Sequence, residues 1–156
     1  MISLDIPGFG GLELAHLVLD YNGTLAVDGR LLPGVTEALT GLAPKLQLHV
    51  ITADTFWLAR EQLAALPVEL TIVPAENQAA AKLQYVSKLG VTEVVAIGNG
   101  RNDEEMMRAV ALGIALIQRE GASPATVLAA DVVCASIVDA LELLSNPKRL
   151  TATLRA

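Results

Sequence analysis

The stretch L-V-L-D-Y-N-G-T-L-A, residues 17–26, decides how this chain reads. An apolar run ends in Asp20, and a Gly23-Thr24 turn follows at once. A buried strand that carries a carboxylate out of the core and into a tight loop has the form of a mounted nucleophile. Asn22 stands two residues on, where a second acid would serve proton transfer. The stretch therefore reads as a working acid site, a weakened one, or only a strand that ends in a polar turn.

Outward from Asp20, short apolar runs alternate with helix-like segments. Strands are expected at 16–20, 46–52, 68–73, 93–98, 112–117 and 131–135. Helices are expected over 34–43 behind Pro33, 54–66, 76–89 closed by Gly90, 102–110, from Ser123-Pro124 onward, and 136–144. Pro suits a first helical turn and Gly a helix exit. Strand–helix alternation predicts a parallel sheet with both faces covered. Near-continuous apolar strands agree, because central parallel strands are buried on both sides. The expected fold class is α/β, a three-layer Rossmann-like sandwich around a mostly parallel sheet. In such sheets the site lies at the carboxyl ends of the strands, where Asp20, Thr52 and the loop from Gly98 fall.

Residues 1–15 break the alternation and read as a small β-hairpin on the edge of the sheet, around P-G-F-G-G. That turn lacks the Lys and the following helix of a phosphate-binding P-loop. A-V-D-G-R-L, 26–31, reads as a second hairpin with Asp28-Gly29 at its tip. The expected organisation is a single domain over 1–156: hairpin 1–15, catalytic core 16–144 and a surface tail 145–156.

Composition bounds the alternatives. The 156 residues carry 17 acids against 11 Lys and Arg, a formal charge of −6, which lacks the basic surface a nucleic-acid binder needs. One cysteine, Cys134, rules out an internal disulfide and a cysteine zinc cluster, and its apolar run predicts a buried small side chain. No apolar run approaches the ~18 residues of a membrane span, and no signal peptide opens the sequence. A cytoplasmic protein with no membrane or nucleic-acid partner is expected. His16 and His49 are read as packed strand residues, Met106 and Met107 as core filling, Arg101 as a loop charge, and Phe56-Trp57 as packing near the active edge.

Four polar features converge on that edge: Asp20, Thr52, Lys82, and G-N-G-R-N-D over 98–103. A carboxylate can attack phosphorus. A lysine, hydrogen-bond donors and a hard cation can balance the charge of a phosphoryl group in transfer. The set matches phosphoryl transfer better than any other reaction class.

These motifs resemble the haloacid dehalogenase-like superfamily. D-Y-N-G-T-L is similar to its D-x-D-G-T motif and to the D-K-T-G-T of P-type ATPases. I-T-A-D resembles the second motif. Lys82 in A-K-L-Q-Y-V resembles the third-motif lysine, with Lys88 as a weaker rival. G-N-G-R-N-D resembles the G-D-G-x-N-D fourth motif. The likeness spans about 16–144, and the soluble P-type-ATPase-like branch matches best. It implies Asp20 as nucleophile and Mg²⁺ ligand, with a backbone carbonyl from Asn22. Thr52 and Lys82 would hold the phosphoryl oxygens. Asn99 takes the place of a metal-binding aspartate, and Asp103 supports the metal. A small phosphorylated substrate follows.

Two departures stand out. Asn22 replaces the acid that protonates the leaving group, which is worth roughly 10²–10⁴-fold in rate, so turnover is expected to be slow. Asn99 removes a charge from the metal shell. A degenerate binding or regulatory module is the alternative. The short connections after both Asp20 and Val73 leave no room for a cap, and capless relatives often close the site with a second subunit, so a homo-oligomer is expected.

Overall fold

The computed structural model describes residues 1–53 and 57–156. In chain order the strands are β1 Ile2–Ile6, β2 Gly10–Leu14, β3 His16–Asp20, β4 Ala26–Val27, β5 Arg30–Leu31, β6 Gln47–Thr52, β7 Val68–Ile72, β8 Val94–Gly98, β9 Leu112–Leu116 and β10 Val132–Cys134. The helices are α1 Val35–Leu42, α2 Leu58–Leu63, α3 Gln78–Leu89, α4 Glu104–Ala109, α5 Pro124–Ala129, α6 Ile137–Ser145 and α7 Pro147–Leu154.

Six strands form one parallel sheet in the order β10-β9-β8-β3-β6-β7. The first strand of that sheet, β3, is central, with β6 on one side and β8 on the other. This reversal of strand order creates the crevice at which open α/β sheets hold ligands.

Side-chain alternation along β3 assigns the two faces. Leu17 and Leu19 join the larger core, with α1, α2 and α6. Val18 joins the smaller core, with Val86 of α3 and Met106 of α4. Asp20, two residues beyond Val18, therefore projects toward the α3 side. The same parity sends His16 and His49 toward α3. There His16 Nδ1 lies 3.1 Å from His49 Nε2, and His49 Nδ1 lies 2.8 Å from the Tyr85 hydroxyl. Burial first, then His16, lowers the His49 pKa, with Glu69 opposing. Both histidines are packed strand residues, as expected, and they tie the sheet to the helix that carries Lys82.

Several expectations need correction. The 1–15 hairpin forms, but as a separate two-stranded sheet and not on the sheet edge. It runs straight into the central strand, so it sits below the sheet's amino-terminal end. Ile2, Ile6, Leu12 and Leu14 enter the main core there. The 145–156 tail is not a loose surface end. Pro147 starts α7, whose Leu150 is fully buried, and the Ala156 amide donates to the Pro7 carbonyl at 2.9 Å. Cys134 is only half-buried, at the end of an edge strand. Ser123 precedes α5 as expected, yet its side chain makes no cap; its backbone amide instead donates to the Asn99 carbonyl at 2.8 Å. Of the helix expected over 54–66, Leu58–Leu63 is observed, while Asp54 and Phe56 lie outside the described residues. Trp57 is 65% exposed at its start, with the Arg60 guanidinium 5.4 Å from the ring centre.

The second hairpin, β4–β5, forms as expected. Asp28 and Gly29 have φ of 52° and 79°, the pair of positive values that a tight two-residue hairpin turn uses. Among the described residues, only this flap stands over the carboxyl edge between β3 and α1. Among them, too, no helix is long and apolar enough to cross a membrane.

Candidate active site

Asp20 ends β3 at 8% exposure, and Thr52 ends the neighbouring β6 at 3%. Lys82 lies one turn into α3 on the face toward the sheet and is fully buried. Its ammonium donates to Asp20 Oδ1 at 2.8 Å, Asp103 Oδ1 at 2.7 Å and Asn102 Oδ1 at 3.1 Å. All three ammonium donors are thus used, which is what a buried charge requires. Lys88 is exposed in the last turn of α3 and takes no part.

The loop after β8 is built around Asp103. Its Oδ2 accepts from the backbone amides of Asn99 at 3.1 Å and Gly100 at 3.0 Å. Gly98 makes this possible, because a Cβ there would stand 2.5 Å from Asp103 Oδ2. Asp103 is itself fully buried. Its oxygens turn to Lys82 and the loop amides, so it stands behind the site and holds its shape.

Two buried carboxylates share one ammonium. Burial first, then Asp103, raises Asp20 from 3.8 to about 7, against the pull of Lys82. Burial disfavours the Lys82 charge, but Asp20 and Asp103 outweigh it and hold the lysine above its ordinary value. An acid whose folded pKa is raised binds its proton more tightly in the folded state. Stability is then greatest below the unfolded value and falls as pH rises toward the folded one. Without divalent cation, the melting temperature is expected to fall between about pH 4 and 7 in wild type more than in Asp20→Asn. Equal slopes for the two proteins would contradict the raised value.

A cavity of about 340 Å³ opens beside Asp20, bordered by Asn22, Thr52, Asn99, Asn102 and Glu120. Asn22 is exposed on its rim. Gly23, at φ 81°, packs so closely on the Asn99 amide that any side chain would collide with it. The Thr24 hydroxyl lies 3.4 Å from Asp20 Oδ2 and 3.3 Å from Asn99 Oδ1. One hydroxyl thus faces both oxygens, and such hard oxygen atoms are of the kind a divalent cation takes. Among the described residues no group of three or more His, Cys, Asp or Glu forms a ready metal cluster. A second, wider groove of about 570 Å³ adjoins, sharing Gln78 and Asn102 and lined also by exposed Arg101.

The structure thus brings Asp20, Asn22, Thr52, Lys82, Asn99 and Asp103 to one place. Thr24, Gln118 and Glu120 join them without having been expected from the sequence. Thr24 lies within the first motif, whereas the other two sit in a loop with no motif to mark them.

Comparison with known proteins agrees. Residues 67–139 match the family model of the haloacid dehalogenase-like hydrolases. An uncharacterized protein of Methanocaldococcus jannaschii is 49% identical over 63 residues, 40% of this chain and 68% of the relative. The 3-deoxy-D-manno-octulosonate 8-phosphate phosphatase of Moraxella catarrhalis, solved with magnesium, phosphate and KDO, superposes with a TM-score of 0.71. It has 16% identity, with 91% of this chain and 94% of that chain covered. A zinc-transporting PIB-type ATPase superposes with a TM-score of 0.59 and 21% identity. That match covers 78% of this chain and 20% of the pump. On these grounds and the shared motifs, the chain belongs to the haloacid dehalogenase-like hydrolases.

Proposed function

We propose that this chain is a Mg²⁺-dependent phosphohydrolase that passes the phosphoryl group through Asp20. One observation carries the reading: a nucleophile-type carboxylate at the end of the central strand, held by a buried lysine beside an open polar cavity. A strand that merely ends in a polar turn needs no buried lysine beneath it. Asp20 attacks phosphorus, Thr52 binds a phosphoryl oxygen, and Lys82 exchanges one of its three present acceptors for another. Asp20, the Asn22 carbonyl and Asn99 would hold Mg²⁺, with Asp103 supporting them from behind. Bound there, the cation would neutralise charge on the transferring group. The likeness to an octulosonate 8-phosphate phosphatase makes small phosphorylated sugars and sugar acids the first substrates to screen.

The test is acid quench followed by mass spectrometry, after mixing with p-nitrophenyl phosphate and Mg²⁺. A phosphoryl adduct on Asp20 is expected. Omission of Mg²⁺ or the Asp20→Asn change should abolish it. A second reading, a binding module without turnover, draws on the two amides at 22 and 99. It is favoured if wild type binds phosphate yet yields neither adduct nor product.

The cavity lacks a cap among the described residues, and exposed Trp57 and the β4–β5 flap stand at the same edge of the sheet. A second copy is proposed to close it. Light scattering at micromolar concentration should give at least a dimer, and Trp57→Ala should shift it toward monomer. A monomer throughout would remove subunit closure.

A further inference from the structure

The loop from Ile117 to Ser123 is fastened to the site at three points. Gln118 Nε2 donates to the carbonyls of Gly23 at 2.9 Å and Thr24 at 2.8 Å, while its Oε1 accepts from the Ile137 amide at 3.0 Å. The Asn99 side-chain amide donates to the Gly121 carbonyl at 3.0 Å, and the Ser123 amide donates to the Asn99 carbonyl at 2.8 Å. The Gly121 amide closes the turn on the Gln118 carbonyl at 2.9 Å. Glu120 lies at the apex of this pinned turn and borders the cavity that holds Asp20.

Glu120 is exposed, and among the described residues no hydrogen bond or ion pair engages its carboxylate. Among the described residues bordering the cavity, Asp20 and Glu120 alone carry an acid. Asp20 is committed as nucleophile and Lys82 is locked between two acids, so neither can exchange a proton with the leaving group. Asn99 also gains a reason here. Only an amide NH₂ can donate to the Gly121 carbonyl, and an aspartate would turn a carboxylate toward it.

We propose that Glu120 is the general acid and base of this chain, in place of the acid missing at Asn22. The proposal rests on the aspartyl-phosphate reading above. In the first step Asp20 bonds to phosphorus, the bond from phosphorus to the leaving oxygen breaks, and that oxygen takes the Glu120 proton. In the second step Glu120 takes a proton from water. The resulting hydroxide bonds to phosphorus, the bond to Asp20 breaks, and inorganic phosphate departs. Glu120 has regained its proton and Asp20 is freed, so the cycle closes. The groups facing the cavity from the other elements are Asp20 on the nucleophile loop, with Lys82 and Asp103 buried behind it; Arg119 precedes Glu120 on its own turn.

The experiment compares wild type, Glu120→Gln, Asn22→Asp and the Asn22→Asp/Glu120→Gln double variant. The substrates are p-nitrophenyl phosphate, whose leaving group needs no proton, and an alkyl phosphate, whose leaving group does. Glu120→Gln should cut alkyl phosphate turnover by roughly 10²–10⁴-fold. Its phosphorylation by the aryl ester should suffer far less, and the adduct on Asp20 should outlive that of wild type. Asn22→Asp should raise alkyl turnover by a larger factor in the Glu120→Gln background than in wild type, a non-additivity that a merely structural role for Glu120 would not give. The proposal is overturned if Glu120→Gln matches wild type in alkyl turnover and adduct lifetime. It is overturned equally if Asp54→Asn, and not Glu120→Gln, produces the signature. If wild type shows no adduct and Asp20→Asn keeps full activity, the aspartyl-phosphate reading itself falls, and this inference with it.

Discussion

Lys82→Met should lose both fold stability and activity. The ammonium is fully buried and bridges Asp20 and Asp103 at 2.8 and 2.7 Å. Removing one partner of a buried ion pair costs about 3–5 kcal/mol, because charge is left uncompensated. For a chain of this size that lowers the melting temperature by roughly 10 °C. Phosphoryl transfer should fall at least as far as for loss of one oxyanion donor, roughly 10²–10³-fold. Calorimetry and adduct formation read the two effects separately. The Asp20→Asn/Lys82→Met pair should regain part of the stability, since one orphaned charge is gone, while activity stays absent. A single variant that melts like wild type would show that the lysine is dispensable to the fold.

Asn22→Asp should move activity the other way. Position 22 is exposed on the cavity rim, so a carboxylate there carries little burial cost. It supplies an acid two residues from Asp20. Alkyl phosphate turnover should rise within the roughly 10²–10⁴-fold that proton transfer contributes, toward the lower end while Glu120 is present. Restoring the second acid is another matter. Both amides look equally reversible in the sequence, but Asn99 donates to the Gly121 carbonyl and packs against Gly23. Asn99→Asp should cost about 1–3 kcal/mol for the carbonyl left facing a carboxylate. It should give no gain in rate. Steady-state kinetics with melting curves on the two single variants tests the contrast, and an active, stable Asn99→Asp would refute it.

The parts that sequence reveals are those governed by local pattern. Strand content, the sheet's parallel order and the placing of Asp20, Thr52 and Asn99 at strand ends follow from apolar runs and turn residues. Lys82 is legible because a helix after the third expected strand brings its inward face to the same edge, and burial then distinguishes it from Lys88. What stays hidden depends on contacts between distant segments. The seat of the amino-terminal hairpin is set by packing around Leu14 and Leu150, not by its own alternation. The tail helix carries a visible start in Pro147, but its few apolar residues give no sign of docking. Gln118 and Glu120 belong to a polar turn whose meaning comes wholly from Gly23, Thr24 and Asn99, which lie 95, 94 and 22 residues from their partners in that turn.

The hairpin and α7 meet at the opposite end of β3 from the cavity. Substitutions in those two elements should therefore change how many molecules are folded in a cell, not how fast each folded molecule works, since abundance tracks stability. In a saturation library, Ile6, Leu14 and Leu150 would score as expression positions. Asp20, Thr52 and Lys82 would score on rate per molecule, and Lys82 alone among these named positions would score heavily on both. A screen that normalises activity to soluble protein would divide the chain along that axis without any knowledge of the substrate.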